Sequence, residues 1–328
     1  MTPIVLKVSS VQALSEAPVV AHVVRNGFVE SVHHGSAVVT GPDGAVQRGI
    51  GDPGSLCFPR SCNKPMQAVA MLRAGLQLNA PLLALSSASH SGEPFHLDGV
   101  RQILAQSDLT EDDLQNTPDL PYDEQARNEW LAAGNGPTSV AQNCSGKHAG
   151  MLGACQASGW DTSTYLDPNH PLQQLMGQTI SDIAGEDVGA TAIDGCGAPV
   201  MAISLAGLAR AFGKIAAAPD TTEEGRVAHA IRAFPEYLGG SRRDVTALIR
   251  GLPGSVAKDG AEAVFALGLA DGRGFAVKIA DGGNRARQVV MAALLRSAGV
   301  EAEVLDEVGT VLVLGHGKPV GAVMAVGI

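Results

Sequence analysis

Ser61 and Lys64 lie three residues apart, a spacing that could support catalysis. A helix brings positions i and i+3 to the same face, so the two side chains can meet. A serine hydroxyl is a weak nucleophile unless a base takes its proton, and a lysine desolvated near a helix N-terminus has a lowered pKa. The pair therefore predicts a serine nucleophile activated by a lysine.

Pro65 indicates where this helix begins. Proline is tolerated in the first turn of a helix, where backbone N–H groups lack partners, but is costly in the interior. Apolar residues at helical spacing over 66–76 continue the helix, which places Ser61 at or near its start. Serine and lysine at this spacing are common in proteins, so the prediction depends on the rest of the sequence.

The segment 88–94 concentrates groups that transfer protons, including Ser89, His90, Ser91 and Glu93. It has no periodicity and lies between predicted helices, which is typical of a loop. The loop could supply a second hydroxyl to the site, or Ser89 or Ser91 could cap the following helix. The sequence is compatible with both roles.

Lys258 belongs to a Lys-x-Gly segment, 256–260, that opens a predicted strand. A Ser-x-x-Lys helix, a hydroxyl-bearing loop and a later Lys-Thr-Gly strand occur in this order in penicillin-recognising serine enzymes, which the layout resembles. Here Asp259 replaces the threonine. A solvated lysine at a strand end is the alternative interpretation, and Lys278 is a rival for the same role.

Cys144 and Cys196 each lie among glycines and polar residues, as metal ligands in loops often do. Two thiolates and one nitrogen would suit Zn²⁺ with an open fourth position, and from spacing alone His148 would supply the nitrogen. Buried structural cysteines are the alternative, because the spacing matches no zinc-finger pattern. The remaining cysteines are interpreted as packing residues: Cys57, Cys62 and Cys155.

The elements that would position these groups are strands near both ends and helices between them. Alternation with turn sequences over 17–50 predicts a β-hairpin or meander, and helical patterns follow at 97–107, 124–133, 149–158, 171–184 and 200–212. Strands return at 261–269 and 275–279, before a helix at 285–298 and a hairpin at 311–326. The predicted fold is α/β (α+β), with a mainly antiparallel sheet built from both termini. Residues 1–96 and 250–328 would form the sheet domain and 97–249 an inserted helical domain.

Composition narrows the function classes. A chain of 328 residues with 45% hydrophobic residues can bury a substantial core. The net charge of −10, with no basic run longer than Arg242-Arg243, argues against nucleic acid as a partner and favours a small substrate. The sequence contains no continuous apolar stretch of about 18 residues, so no membrane-spanning helix is predicted. Residues 1–20 lack the pattern of an export signal and the five cysteines are an odd number, so we expect a cytoplasmic protein.

Four segments spread over nearly the whole chain together resemble one family. They are Arg60-Ser61-x-x-Lys64-Pro65-x-Gln67, Ser89-His90-Ser91-Gly92-Glu93, Asn143-Cys144-Ser145-Gly146-Lys147-His148 and Asp194-Gly195-Cys196-Gly197-x-Pro199. The family is that of the rhizobial-type L-asparaginases, the asparaginase II family. The resemblance implies a fold similar to serine β-lactamases and glutaminases, a homodimer, and hydrolysis of L-asparagine to L-aspartate and ammonia.

The resemblance also implies roles for individual residues. Ser61 would be the nucleophile and Lys64 its base, and a hydroxyl of the 89–91 loop, for which we favour Ser91, would form a second serine–lysine pair with Lys258. The family's metal site falls on Cys144, Lys147 and Cys196, so that a deprotonated Lys147 replaces His148 as the nitrogen ligand of Zn²⁺. The expected substrate-binding residues are Arg60, Ser89, His90, Glu93, His148 and Asp194.

Two other functions fit part of the pattern. A β-lactamase or glutaminase-like serine hydrolase would explain the Ser-x-x-Lys and Lys-x-Gly order, but the lack of an export signal opposes a β-lactam substrate outside the cytosol. A non-enzymatic zinc-binding sensor would explain the cysteines and leave Ser61 without a role.

Overall fold

The structure is a computed structural model that describes residues 12–328. The prediction that no export signal is present concerns residues 1–20. Most of these residues lie outside the described part of the chain. Over the described part of the chain, no helix has both the length and the apolar character needed to cross a membrane.

Most strands form one antiparallel sheet that joins the two ends of the chain. The strands are β1 (Val19–Arg25), β2 (Phe28–Thr40), β3 (Val46–Ile50), β4 (Leu56–Cys57), β5 (Ala190–Ile193), β6 (Pro199–Ser204), β7 (Val256–Gly260), β8 (Val264–Gly268), β9 (Gly274–Ile279), β10 (Val311–Gly315) and β11 (Lys318–Ala325). The main sheet has the order β10-β11-β1-β2-β9-β8-β7, with β3 beside β2, and β4-β6-β5 form a small second sheet. The prediction of an α/β fold with a mainly antiparallel sheet built from both termini is confirmed.

Strand β2 connects the two halves of the main sheet. Its first part pairs with β1, and its second part, from Gly35 onward, pairs with β9. A Cβ atom at Gly35 would lie 2.6 Å from the carbonyl oxygen of Lys278, so only glycine permits this close approach. β9 and its neighbours β8 and β7 are thereby held next to the N-terminal strands.

The helices pack on the sheet and on one another. They are α1 (Gln12–Ser15), α2 (Lys64–Arg73), α3 (Ala80–Ser86), α4 (Pro94–Ala105), α5 (Glu124–Ala132), α6 (Ser145–Ser158), α7 (Pro171–Ala184), α8 (Leu205–Ala217), α9 (Glu223–Ala233), α10 (Pro235–Leu238), α11 (Asp244–Gly251), α12 (Asn284–Ser297) and α13 (Val304–Val308). α8 and α12 contact the main sheet, whereas α2 lies among α6, α7 and α9. Every residue of α2 before Arg73 is buried, so this helix is a central element of the core.

The predicted helix at 200–212 is wrong in its first third, because residues up to Ser204 form strand β6. All six residues of β6 are buried, and a fully buried strand shows no alternation that would separate it from a helix. The Ser204 side chain accepts the N–H of Gly207 and caps α8, which marks the true start of the helix. Helices α1, α3, α9, α10, α11 and α13 were not predicted, and the strand predicted at 261–269 begins only at Val264.

The division into a sheet domain and an inserted helical domain stays a prediction. Helix α2, from the first predicted domain, packs against α6, α7 and α9 from the second. Strand β4, also from the first, pairs with β6 from the second. These contacts bring Ser61, which lies between β4 and α2, to the junction of both regions.

Candidate active site

Ser61 lies in a single 3₁₀ turn, Arg60–Asn63, that leads directly into α2. Lys64 begins α2 and donates its backbone N–H to the carbonyl of Ser61, and Pro65 occupies the first turn, as the sequence predicts. The predicted helix start near Ser61 is therefore correct. Ser61 is half-buried, whereas Lys64 is almost completely buried.

A cavity of about 310 Å³ opens beside Ser61. Its volume is at the lower end of the range of ligand pockets, about 300–1,000 Å³, so it suits a small molecule. Polar side chains supply much of its wall, and those used below are Ser61, Ser89, Asn143, Arg243, Asp259 and Arg287. The cavity lies where the start of α2, the loop after α3 and the end of β7 meet.

The amine of Lys64 contacts three acceptors. Its Nζ donates to the carbonyl of Ala88 and lies 3.0 Å from Ser89 Oγ and 3.0 Å from Cys144 Sγ. Within residues 12–328, Ser61 Oγ forms no hydrogen bond, so the structure joins Lys64 to Ser89 rather than to Ser61. Catalytic hydrogen bonds are often long in free enzymes and tighten when substrate binds, so this geometry leaves room for a role of Lys64 at Ser61.

Ser89 and Ser91 lie in different surroundings. Ser89 lines the cavity beside Ser61, whereas Ser91 Oγ donates to the carbonyl of Gly239 at 3.0 Å and is not among the residues lining that cavity in the described part of the chain. A Cβ atom at Gly240 would lie 2.1 Å from Ser91 Oγ, so the turn packs closely over this hydroxyl. The geometry favours Ser89, whereas the sequence interpretation favoured Ser91.

Lys258 and Lys278 also differ in position. Lys258 lies on β7 with its side chain fully buried, and its Nζ donates to Asp259 Oδ1 at 2.8 Å. Burial lowers the pKa of Lys258 below its usual 10.5, although the Asp259 carboxylate opposes this shift. Lys278 lies on β9 and donates to the carbonyls of Glu262 and Ile279. Of these two lysines, Lys258 is the one that contacts a side chain lining the cavity, so the geometry favours Lys258.

Asp259 is surrounded by three cations. Its Oδ2 accepts from Arg243 and from Arg287 Nη1 at 3.1 Å, while Oδ1 accepts from Lys258. Burial alone would raise the pKa of Asp259, but the three cations hold it well below its usual 3.8. In the sequence, Asp259 stands out only as a departure from Lys-Thr-Gly, and no local pattern there identifies Arg243 or Arg287 as its partners. A carboxylate and a lysine side by side in an otherwise apolar strand were the signal that could have indicated such a cluster.

The residues of the predicted metal site have close contacts: Cys144 Sγ lies 3.0 Å from Lys64 Nζ, and Cys196 Sγ accepts from Lys147 Nζ at 3.2 Å. A hydrogen bond from Cys144 lowers the pKa of Cys196 to about 4 despite burial, and the same bond together with burial raises the pKa of Cys144 to about 12. Burial would lower the pKa of Lys147, but the nearby sulfurs and Asp194 raise it above 10.5. These pKa shifts favour the thiolate form of Cys196, the thiol form of Cys144 and the ammonium form of Lys147.

The side chains of Cys144, Lys147 and Cys196 fit a zinc ion on the condition that all three are deprotonated. Among the described residues, no three His, Cys, Asp or Glu side chains are grouped so as to hold a metal ion. Two sulfurs and the Lys147 nitrogen are nevertheless adjacent, and Zn²⁺ accepts such ligands once they are deprotonated. Binding would therefore have to release the proton of Cys144 and one proton of Lys147.

The other predicted substrate-binding side chains have partners within the protein. Arg60 Nη2 lies 2.6 Å from Asp194 Oδ1, His90 Nε2 lies 2.8 Å from Ser145 Oγ, and Glu93 accepts the backbone N–H of Ser241. His148 Nδ1 lies 2.8 Å from the hydroxyl of Tyr165. The described residues that line the cavity beside Ser61 do not include Arg60, His90, Glu93, His148 or Asp194.

Comparisons with known proteins place this geometry in context. A family model described as L-asparaginase II matches residues 21–325. None of the curated proteins compared with the chain matches it. A β-lactamase from Mycobacterium bovis aligns over 88% of this chain and 98% of its own with 17% identity and a TM-score of 0.44. EstCE1, a hydrolase with promiscuous acyltransferase activity, covers 91% of this chain and 96% of its own with 11% identity and a TM-score of 0.41.

Proposed function

Because the chain belongs to the L-asparaginase II family and is an amidohydrolase, we propose that it hydrolyses L-asparagine to L-aspartate and ammonia. The observation that carries the proposal is the small cavity lined by both Ser61 and Ser89, with the Lys64 amine 3.0 Å from Ser89 Oγ. A hydroxyl facing a ligand-sized cavity next to a buried amine is the arrangement that nucleophilic hydrolysis of an amide needs. Family membership also sets aside the alternative of a non-enzymatic zinc sensor.

In the proposed reaction, Ser61 Oγ attacks the side-chain amide carbon of the substrate. Lys64 would be the base that takes its proton, directly or through Ser89 Oγ. The C–N bond then breaks, the nitrogen takes the proton from Lys64, and ammonia leaves. Water, deprotonated by the same amine, attacks the Ser61 ester and releases L-aspartate, which restores the serine hydroxyl.

Lys258 would be the second basic group of the site. Burial lowers its pKa, so a larger share of this amine is neutral near pH 7 than for a solvated lysine. Its partner hydroxyl would be Ser89, because Ser91 is engaged with Gly239. Two serine hydroxyls and two lysines would then converge on one cavity.

The test of this function is release of ammonia and L-aspartate from L-asparagine, with L-glutamine as the competing substrate. One extra methylene changes binding by only about 1–3 kcal/mol, so we expect some activity on both amides and the ratio of kcat/KM to define the preference. Hydrolysis of nitrocefin by an enzyme that leaves L-asparagine unchanged would instead support a β-lactamase. A homodimer is proposed on the family resemblance alone.

Zinc is proposed to bind Cys144, Lys147 and Cys196. When bound there, the metal would polarise and orient the substrate. Because Cys144 Sγ also lies 3.0 Å from Lys64 Nζ, the metal ligands and the catalytic amine share a contact. The chain's own residues would thus connect the metal pocket to the cavity beside Ser61.

We expect serine at Cys144 or at Cys196 to remove stoichiometric zinc. Loss of an outer partner of a metal ligand already costs about 10- to 100-fold in affinity, so loss of a ligand should cost more. Zinc content measured by mass spectrometry on purified protein, together with proton release on zinc addition, checks this. Cys155→Ser is the matched control, because Cys155 is buried on α6 away from both thiols and should leave zinc binding unchanged. Full retention of zinc by both variants would rule the metal site out.

A further inference from the structure

A buried cluster of basic side chains and carboxylates borders the cavity beside Ser61. Lys258, Arg243 and Arg287 all contact the carboxylate of Asp259, and Arg287 Nη2 also lies 3.0 Å from Asp244 Oδ2. The five side chains are at most 15% exposed. Three basic side chains therefore meet two carboxylates, and all three share the carboxylate of Asp259.

Arg243 has donors still free for a ligand. One of its terminal nitrogens binds Asp259, the other is 3.4 Å from the carbonyl of Ser89, and Nε makes no hydrogen bond within residues 12–328. Arg287 uses both terminal nitrogens on Asp259 and Asp244, and its Nε, which has no hydrogen-bond partner among the described residues, is buried. Arg243 lines the cavity, whereas its neighbour Arg242 pairs with Asp123 at the surface.

The surroundings of Arg243 also fix its orientation. Its guanidinium carbon lies 4.6 Å from the centre of the Tyr122 ring, so the planar group stacks on an aromatic face. The Asp259 carboxylate holds one end of that plane, and Arg287 holds Asp259 in turn. A guanidinium fixed in this way presents its remaining N–H groups in the fork geometry that matches a carboxylate.

We infer that Arg243 binds the α-carboxylate of the substrate, while Asp259 and Arg287 act as positioning residues. This inference rests on the proposed function, because L-asparagine carries an amide at one end and a carboxylate at the other. Ser61 and Arg243 line the same cavity, so one small ligand can contact both. The substrate class is then the free α-amino acid, and asparagine within a peptide or with an amidated α-carboxyl group is rejected.

The competing arginine is Arg60, which the family resemblance assigns to the substrate. Its Nε and Nη2 lie 2.8 Å and 2.6 Å from Asp194 Oδ1, so its charge already has a carboxylate partner. Arg243 shares its single carboxylate with two other cations. Because Arg243 also lines the cavity and Arg60 does not, among the described residues, Arg243 is the arginine placed to pair with a ligand carboxylate.

The test is calorimetric binding of L-asparagine and of L-asparaginamide, which lacks the α-carboxylate, to the Ser61→Ala protein with and without Arg243→Met. A hydrogen-bonded charge contributes about 1.5–3 kcal/mol, so Arg243→Met should weaken L-asparagine binding by about 10- to 100-fold. The affinity for L-asparaginamide should change by less than about 3-fold, because that ligand has no carboxylate to lose. Equal weakening of both ligands would overturn the inference.

Two further variants keep the result interpretable. Arg242→Met removes the same charge one residue away, and an equal loss of L-asparagine affinity there would show a general charge effect and overturn the inference. Arg243→Lys keeps the charge near Asp259 but lacks the planar fork of the guanidinium. If Arg243→Met does not fold, the affinities of Arg243→Lys for L-asparagine and L-asparaginamide test the inference in the same way. Ammonia release by the wild type, measured alongside, separates the two proposals. Carboxylate-dependent binding without turnover contradicts the asparaginase alone, and turnover with equal weakening of both ligands contradicts the role of Arg243 alone.

Discussion

Ser61→Ala is expected to lower kcat for ammonia release from L-asparagine by about 10⁴-fold or more, since loss of a serine nucleophile removes the covalent path. The hydroxyl of Ser61 forms no hydrogen bond among the described residues and faces the cavity, so its removal should leave the fold and substrate binding nearly unchanged. The measurement is single-turnover and steady-state ammonia release, with the melting temperature of the same samples. Unchanged turnover would exclude Ser61 as the nucleophile.

The two loop serines provide a matched pair for this experiment. Ser89→Ala removes the hydroxyl that lies 3.0 Å from Lys64 Nζ, and we expect kcat to fall by about 10²- to 10⁴-fold, the range of a general acid–base contribution. Ser91→Ala removes a hydroxyl bonded to the Gly239 carbonyl and should leave kcat within about 3-fold, with a small loss of stability. The reverse result would show that Ser91 is the catalytic residue, as the sequence interpretation held.

The contrast between these serines shows what the sequence could and could not predict. Pro65 fixed the helix start, because proline's missing N–H restricts it to the first turn whatever the tertiary structure. The hydrogen-bond acceptors of Lys64 were not predictable, because its four-carbon side chain is flexible. Which acceptors lie within its reach depends on the tertiary structure. Ser89 and Ser91 differ only in what packs over them, and Gly239 and Gly240 are about 150 residues away in the sequence.

The same limit explains the missed arginines. Arg287 lies in the predicted helix at 285–298, where an arginine usually faces solvent, yet here it is 7% exposed and bonded to Asp259 and Asp244. Its burial follows from the packing of α12 on the sheet, which no local pattern encodes. The metal loops were predictable as loops from their glycines, whereas the contact of Cys144 with Lys64 depends on how α6 packs on α2.

Asp259→Asn is expected to lower the free energy of unfolding at pH 7 by about 3–5 kcal/mol. The change leaves Lys258, Arg243 and Arg287 buried without the carboxylate they share, and removal of one member of a buried ion pair costs about that much. Urea denaturation of wild type and variant gives the difference. Asp123→Asn is the matched control, because Asp123 pairs with the exposed side chain of Arg242 and should cost less than about 1 kcal/mol. A similar loss in both variants would contradict the expectation.

The difference in the free energy of unfolding between wild type and Asp259→Asn should depend on pH in a definite direction. The pKa of Asp259 is held well below 3.8 in the folded protein and returns to its ordinary value on unfolding, so its ionised form stabilises the fold. This contribution is complete above the unfolded pKa and is lost as the pH falls below about 3.8 towards the folded pKa. The gap between wild type and Asp259→Asn should therefore be constant from pH 7 to about pH 5 and narrow below pH 4. A gap that widened in acid would mean that Asp259 is protonated in the folded state, and the three cations around it would then need another counter-charge.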